Sequence, residues 1–123
     1  MYGIFVNEDG GIRYADAIVQ GYKTIETRTR NMLNPLVGKR VAIIRTRRGK
    51  APTIVGYADI VNAVHRNGKW MDENRNLTLI PKGSKYDVNG WAKWCYYLEN
   101  NQTCDPYPLP DGAVRHGRSW CEF

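Results

Sequence analysis

The chain has 123 residues, 42% of them hydrophobic, which suits one domain with its own core and is too short for two. Its formal net charge of +6 favours polyanionic partners, and its three cysteines, Cys95, Cys104 and Cys121, lack the pair spacing of a zinc site or a disulfide framework. Met1 to Gly10 has no basic segment followed by a long apolar run, and no later stretch has membrane-spanning length, so a soluble, cytoplasmic, single-domain protein over residues 1–123 is expected.

Met1 to Val6 is an apolar, aromatic and β-branched run, and Asn7-Glu8-Asp9-Gly10-Gly11 breaks it, which predicts a strand and a turn. Tyr14 to Gln20 has its apolar residues at helical spacing, with Gly21 placed to end the helix in a left-handed conformation. Gly21 to Arg30 follows, Gly-Tyr-Lys-Thr-Ile-Glu-Thr-Arg-Thr-Arg, which puts an ammonium, a carboxylate and two guanidinium groups within eight positions. If it is extended, Thr24, Glu26, Arg28 and Arg30 share one face and Lys23 falls on the other, so a common site needs a bend near Gly21 to Thr24.

Asn31 to Gly38 reads as a connection, and Lys39 to Thr46 as a strand with an apolar middle. Arg45, Arg47, Arg48 and Lys50 fall in the basic loop after it, where phosphate contacts are commonly carried. Lys23 to Lys50 holds nine basic residues against Glu26 alone, whereas the residues after Lys50 balance, so nucleic acid is the favoured partner class.

Thr53 to His65 is apolar on both faces, as in a strand covered on two sides, and Asp59 within it calls for a basic partner. Asn67-Gly68 signals a hairpin into Lys69 to Asp72. Pro81 to Tyr86 is irregular, and Asp87 or Asn89 can cap a helix over Gly90 to Glu99 with Trp91, Trp94, Cys95 and Leu98 as its core stripe and Lys93, Tyr96 and Tyr97 off it. Asn100 to Gly112, with Pro106, Pro108 and Pro110, reads as a stiff surface connection. Ala113 to Phe123 reads as a closing strand interrupted at Gly117, with His116 beside the glycine.

Catalytic signatures built on Ser/His/Asp, His-Glu-x-x-His, a Walker loop or a dinucleotide fingerprint do not occur, and two histidines are too few for a histidine-rich metal site. No cofactor and no metal are expected. Lys23, Glu26 and Arg28 remain, as a proton-transfer pair with a neighbouring cation or as a purely binding set in which the cations hold phosphate and the carboxylate accepts from a base amino group.

Ala17-Ile18-Val19 followed by Gly21-Tyr22-Lys23-Thr24-Ile25-Glu26-Thr27-Arg28 resembles the Gly-x-Lys-x-x-Glu-x-Arg signature of the ASCH domain, a branch of the PUA-like superfamily. The resemblance is clearest over Tyr14 to Thr46 and extends to Gly38-Lys39, Gly56 and a closing strand with Trp120. It implies an α+β fold, a mixed β pseudo-barrel of five or six strands with two or three flanking helices, and a basic cleft for RNA or a modified nucleoside or nucleotide. On that footing the ligand-binding residues are Lys23, Thr24, Glu26 and Arg28, and the phosphate contacts are Arg30, Arg45, Arg47, Arg48 and Lys50. Some related proteins hydrolyse acetylated cytidine with a lysine, a threonine three residues on, and a distant glutamate. Lys23 matches that lysine, Glu26 stands at the threonine's position beside Thr24 and Thr27, and Glu73 is the candidate for the glutamate. Other relatives are ribonucleases, which would make Lys23 and Glu26 the acid/base pair. A protein-interaction module using Tyr96, Tyr97 and the proline-bearing loop is a third reading.

Overall fold

The structure, a computed structural model, describes residues 1–87 and 93–123. In chain order the elements are β1 (Tyr2–Asn7), α1 (Tyr14–Val19), β2 (Ile25–Arg28), a 3-10 turn (Asn34–Leu36), β3 (Arg40–Thr46), β4 (Thr53–Arg66), α2 (Gly68–Glu73), α3 (Arg75–Thr78), β5 (Lys93–Pro108), β6 (Val114–His116) and β7 (Trp120–Glu122). The strands form one mixed, seven-stranded α+β sheet in the order β2-β5-β4-β3-β1-β7-β6, which does not close on itself. Only β1 and β3 run parallel among the paired strands; they are joined through α1 and β2, a crossover long enough for that geometry.

The core forms where the apolar faces predicted from the sequence meet. Ile18 and Val19 of α1 pack with Ile4, Ile43, Ile60 and Leu98 on one side of the sheet, and Phe5, Ala42, Ile44, Ile54 and Cys121 cluster on the other. This explains the continuous apolar runs of β1 and β3 and the two apolar faces of the first half of β4: both sides of the sheet are covered there. Gly56 sits where α1 crosses β4. A Cβ there would lie 2.0 Å from the carbonyl oxygen of Gln102 and 2.6 Å from Val19, so glycine is required by close approach. Register shifts at Ile54/Gly56, Tyr57/Asp59 and Ile60/Asn62 bend the long β4–β5 pair, and such bulges give an open sheet its curl.

Helix α1 ends as its sequence dictates: Gly21 takes φ +85°, its N–H bonds the Ile18 carbonyl, and the Tyr22 N–H bonds that of Ala17. Asp59 has its expected cation, Arg40, at 3.0 Å. Gly117 turns the closing strand into the β6–β7 hairpin.

Three expectations are overturned. Lys93 to Glu99 is the start of the sixteen-residue strand β5, not a helix, and the remainder of the helix expected from Gly90, with Trp91 and the Asn89 cap, lies outside the described residues. Trp94, Cys95 and Leu98 have spacings that satisfy a helix stripe, but with Tyr96 and Tyr97 between them the run also suits a strand buried on both faces, and pairing with β4 decides between the two. Tyr96, expected off the core stripe, is fully buried and donates to Asn34 Oδ1 at 2.7 Å. The stretch after Asn100 continues the same strand to Pro108, with the prolines tolerated beside a register shift. Finally, Asn67-Gly68 is no hairpin: Asn67 caps α2, its Oδ1 accepting from the Trp70 N–H at 2.9 Å.

Gly56→Ala is expected to cost more than about 3 kcal/mol, because a backbone carbonyl cannot yield. Gly3→Ala should cost less, since its nearest obstacle is the flexible tip of Ile44. Urea denaturation of both variants checks the ranking; equal midpoints would contradict it.

Candidate functional site

The outer edge of β2 faces the last three residues of β1, and the gap between them is the open seam of the sheet. β7 pairs with β1 only over Tyr2 to Ile4, so Phe5, Val6 and Asn7 are left lining a cavity of about 280 Å³. Its apolar wall is made by Phe5, Val6, Tyr14, Ile80 and Tyr86, and its polar wall by Lys23, Glu26, Thr27, Arg28 and Lys93. An aromatic wall facing a small set of charged groups is the usual composition of a small-molecule or base-binding pocket.

β2 begins only at Ile25, so Lys23 lies before the strand and is not bound by its alternation. The Thr24 N–H bonds the Leu77 carbonyl and its own carbonyl accepts from Leu98, which turns the chain into β2 and aims Lys23 inward. The Lys23 ammonium, 1% exposed, donates to the Thr78 carbonyl, lies 3.6 Å from Glu26 Oε1 and faces the Tyr14 ring with 5.1 Å to its centroid. Glu26 Oε1 also accepts from the Thr27 N–H at 3.2 Å, and Oε2 accepts from Arg28 Nη2 at 3.2 Å. The same Nη2 reaches across the seam to the Phe5 carbonyl at 2.7 Å. The bend near Gly21 to Thr24 that a shared site required is therefore present.

Burial alone would raise the Glu26 pKa, but Lys23 and Arg28 outweigh it and hold the carboxyl below its ordinary range. Burial lowers the pKa of Lys23, against the opposing pull of Glu26. Burial likewise lowers that of Lys93, whose ammonium donates to Thr27 Oγ1 at 3.0 Å and to the Tyr86 carbonyl at 3.1 Å. Tyr14 is pushed up to about 12, mainly by burial and then by Asp9 and Glu26. It stays a neutral phenol, and its hydroxyl has no partner among the described residues.

Beside the cavity, sharing Asn7 and Tyr86 with it, lies a more open basin whose cations are Arg47, Arg48 and Lys85 and whose carboxylate is Glu8. Of the expected phosphate contacts, Arg47 and Arg48 line this basin. Arg45 is instead tied to Asp16 at 3.4 Å. Arg30 and Lys50 are exposed and line neither space, and Thr24 contributes backbone bonds rather than a cavity wall. Glu73, exposed at the end of α2, and His116, 3.0 Å from Glu122 and stacked on Trp120, line neither space. Lys93, Tyr14, Tyr86 and Arg118 are lining residues that the motif did not name. Reading Trp94 to Tyr97 as β-forming would have placed Lys93 at a strand start; the other three carry no local signal. Among the described residues no His/Cys/Asp/Glu group is arranged to hold a metal, and no helix is long and apolar enough to cross a membrane.

The fold is that of solved ASCH structures. The chain is similar to ASCH from Zymomonas mobilis at 23% identity and a TM-score of 0.68, covering 87% of this chain and 73% of that one. Serine-to-alanine and tyrosine-to-phenylalanine variants of the same protein give the same identity and TM-score, with 74% and 76% of their chains covered. No family model and no curated protein sequence matches the chain.

Glu26→Gln is expected to destabilise the protein by about 3 kcal/mol at neutral pH, the cost of breaking a buried pair from one side. Because the folded carboxyl titrates below its unfolded value of about 4.3, Glu26's contribution is complete above that value and fades as the pH falls through the folded one. The difference between wild type and Glu26→Gln in urea midpoint should thus hold constant from about pH 7 to 5 and shrink only in stronger acid. A difference near zero throughout would reduce the cluster to a weak surface pair.

Proposed function

We propose that this chain is an ASCH domain that binds RNA, or a modified nucleotide, in the cavity at the seam between β1 and β2. The Gly21 to Arg28 signature and the fold shared with ASCH from Zymomonas mobilis support the family, and the site's chemistry supports the ligand class. The observation that carries the reading is an ionised Glu26, held by Lys23 and Arg28 in an aromatic-walled cavity that opens onto Arg47, Arg48 and Lys85. A carboxylate of this kind accepts from a base amino or imino group, Tyr86 offers a stacking face, and the outer cations suit phosphate.

Binding has more support than catalysis. Lys23 and Glu26, the proton-transfer candidates of a nucleoside amidohydrolase or a ribonuclease, are occupied by each other and by Thr78, Thr27 and Arg28. Neither is left as a free base. A role for Tyr96 in a protein interface has no support, since its side chain is in the core.

Fluorescence anisotropy with single-stranded RNA tests the reading. Affinity should fall steeply as salt rises, with log K linear in log salt, and Arg47→Glu combined with Arg48→Glu should weaken binding by at least about tenfold at low salt. Salt-insensitive binding to RNA, or no binding to any RNA or nucleotide, would overturn it.

A further inference from the structure

Arginines at the cavity's rim stand on both sides of a single strand. β1 lies between β3 and β7 in the sheet, and its last residues form the cavity's lip. On the β3 side, Asn7 pairs with Thr46, so Arg47 and Arg48 leave β3 next to the end of β1. On the β7 side, the Phe5 N–H bonds the Ser119 carbonyl at 3.0 Å, and this holds the β6–β7 turn against the same lip. Arg118, at that turn, is exposed and lines the cavity itself. Among the described residues no carboxylate forms an ion pair with Arg47, Arg48 or Arg118. Neighbouring strands are spaced about 4.8 Å apart, so β3 and β7 are separated by roughly twice that.

We infer that the ligand is an internal residue of a single-stranded RNA, its base in the cavity and its two flanking phosphates held on opposite sides of β1, one by Arg47 and Arg48 and the other by Arg118. This rests on the proposed RNA or nucleotide binding and goes further by naming a polymer over a free nucleoside or mononucleotide. Phosphates held on either side of β1 would bracket the cavity's lip, so the nucleotide between them stands at its mouth with the base directed inward. The cavity provides for such a base. Tyr86 borders both spaces, and Tyr14 offers a buried hydroxyl without a partner among the described residues. A free nucleoside would leave both outer cation groups unused, and a mononucleotide would use one.

Competition against a fluorescein-labelled single-stranded RNA tests this, using for each of the four bases the nucleoside 5′-monophosphate, the 3′-monophosphate and the 3′,5′-bisphosphate. The bisphosphate of the preferred base is expected to compete at about tenfold lower concentration than either monophosphate, as one added arginine–phosphate contact implies. Arg118→Ala should bring the bisphosphate down to the level of one monophosphate, and Arg47→Ala with Arg48→Ala to the level of the other. Both are surface changes whose folding circular dichroism can verify. If bisphosphate and monophosphates compete alike, or Arg118→Ala leaves their ratio unchanged, the inference falls while nucleotide binding stands. If neither RNA nor any nucleotide binds, both fall.

Discussion

The site depends on one buried carboxylate. Glu26 lies where a lone negative charge would be costly, and it stays ionised because Lys23 comes at it from the end of α1 and Arg28 from the same strand. Arg28 in turn bonds the Phe5 carbonyl, so this local pairing also ties the edge strand β2 to β1 across the seam. One of the two cations that keep the carboxylate ionised, Arg28, therefore also spans the cleft. The short polar motif is a structural tie as well as the proposed ligand-binding group.

The cleft exists because the sheet stops short of closing. β7 follows β1 for three residues and then turns at Gly117, and β2 is only four residues long. A longer β7 or β2 would fill the seam with backbone hydrogen bonds and remove the cavity. The bulged β4–β5 pair supplies the curvature that brings β2 around to face β1.

Much of the site was legible in the sequence and part of it was not. Gly21 marked the helix end, and the Lys23, Glu26 and Arg28 cluster was visible as charge density in an otherwise extended stretch; these are local signals. The strict strand alternation that set Lys23 apart from Glu26 failed because β2 starts two residues after Lys23, a boundary fixed by bonds to Leu77 and Leu98 that are distant in sequence. β5 was misread because adjacent aromatics fit helical spacing and a doubly covered strand equally well, and the misreading hid Lys93. Tyr14 read only as part of an amphipathic helix, and Arg118 carried no local signal. Their convergence is a property of the sheet's topology, with no trace in local pattern.

The most direct test of the account is to follow the lysine side-chain amines by NMR while single-stranded RNA is added. Lys23 and Lys93 line the cavity, whereas Lys39, stacked over Tyr2, and Lys69, in α2, line neither space. RNA entering the seam shifts the Lys23 and Lys93 signals with saturable dependence on its concentration while those of Lys39 and Lys69 hold still. Shifts confined to surface lysines, with Lys23 and Lys93 unmoved at saturation, would show that RNA does not enter the seam.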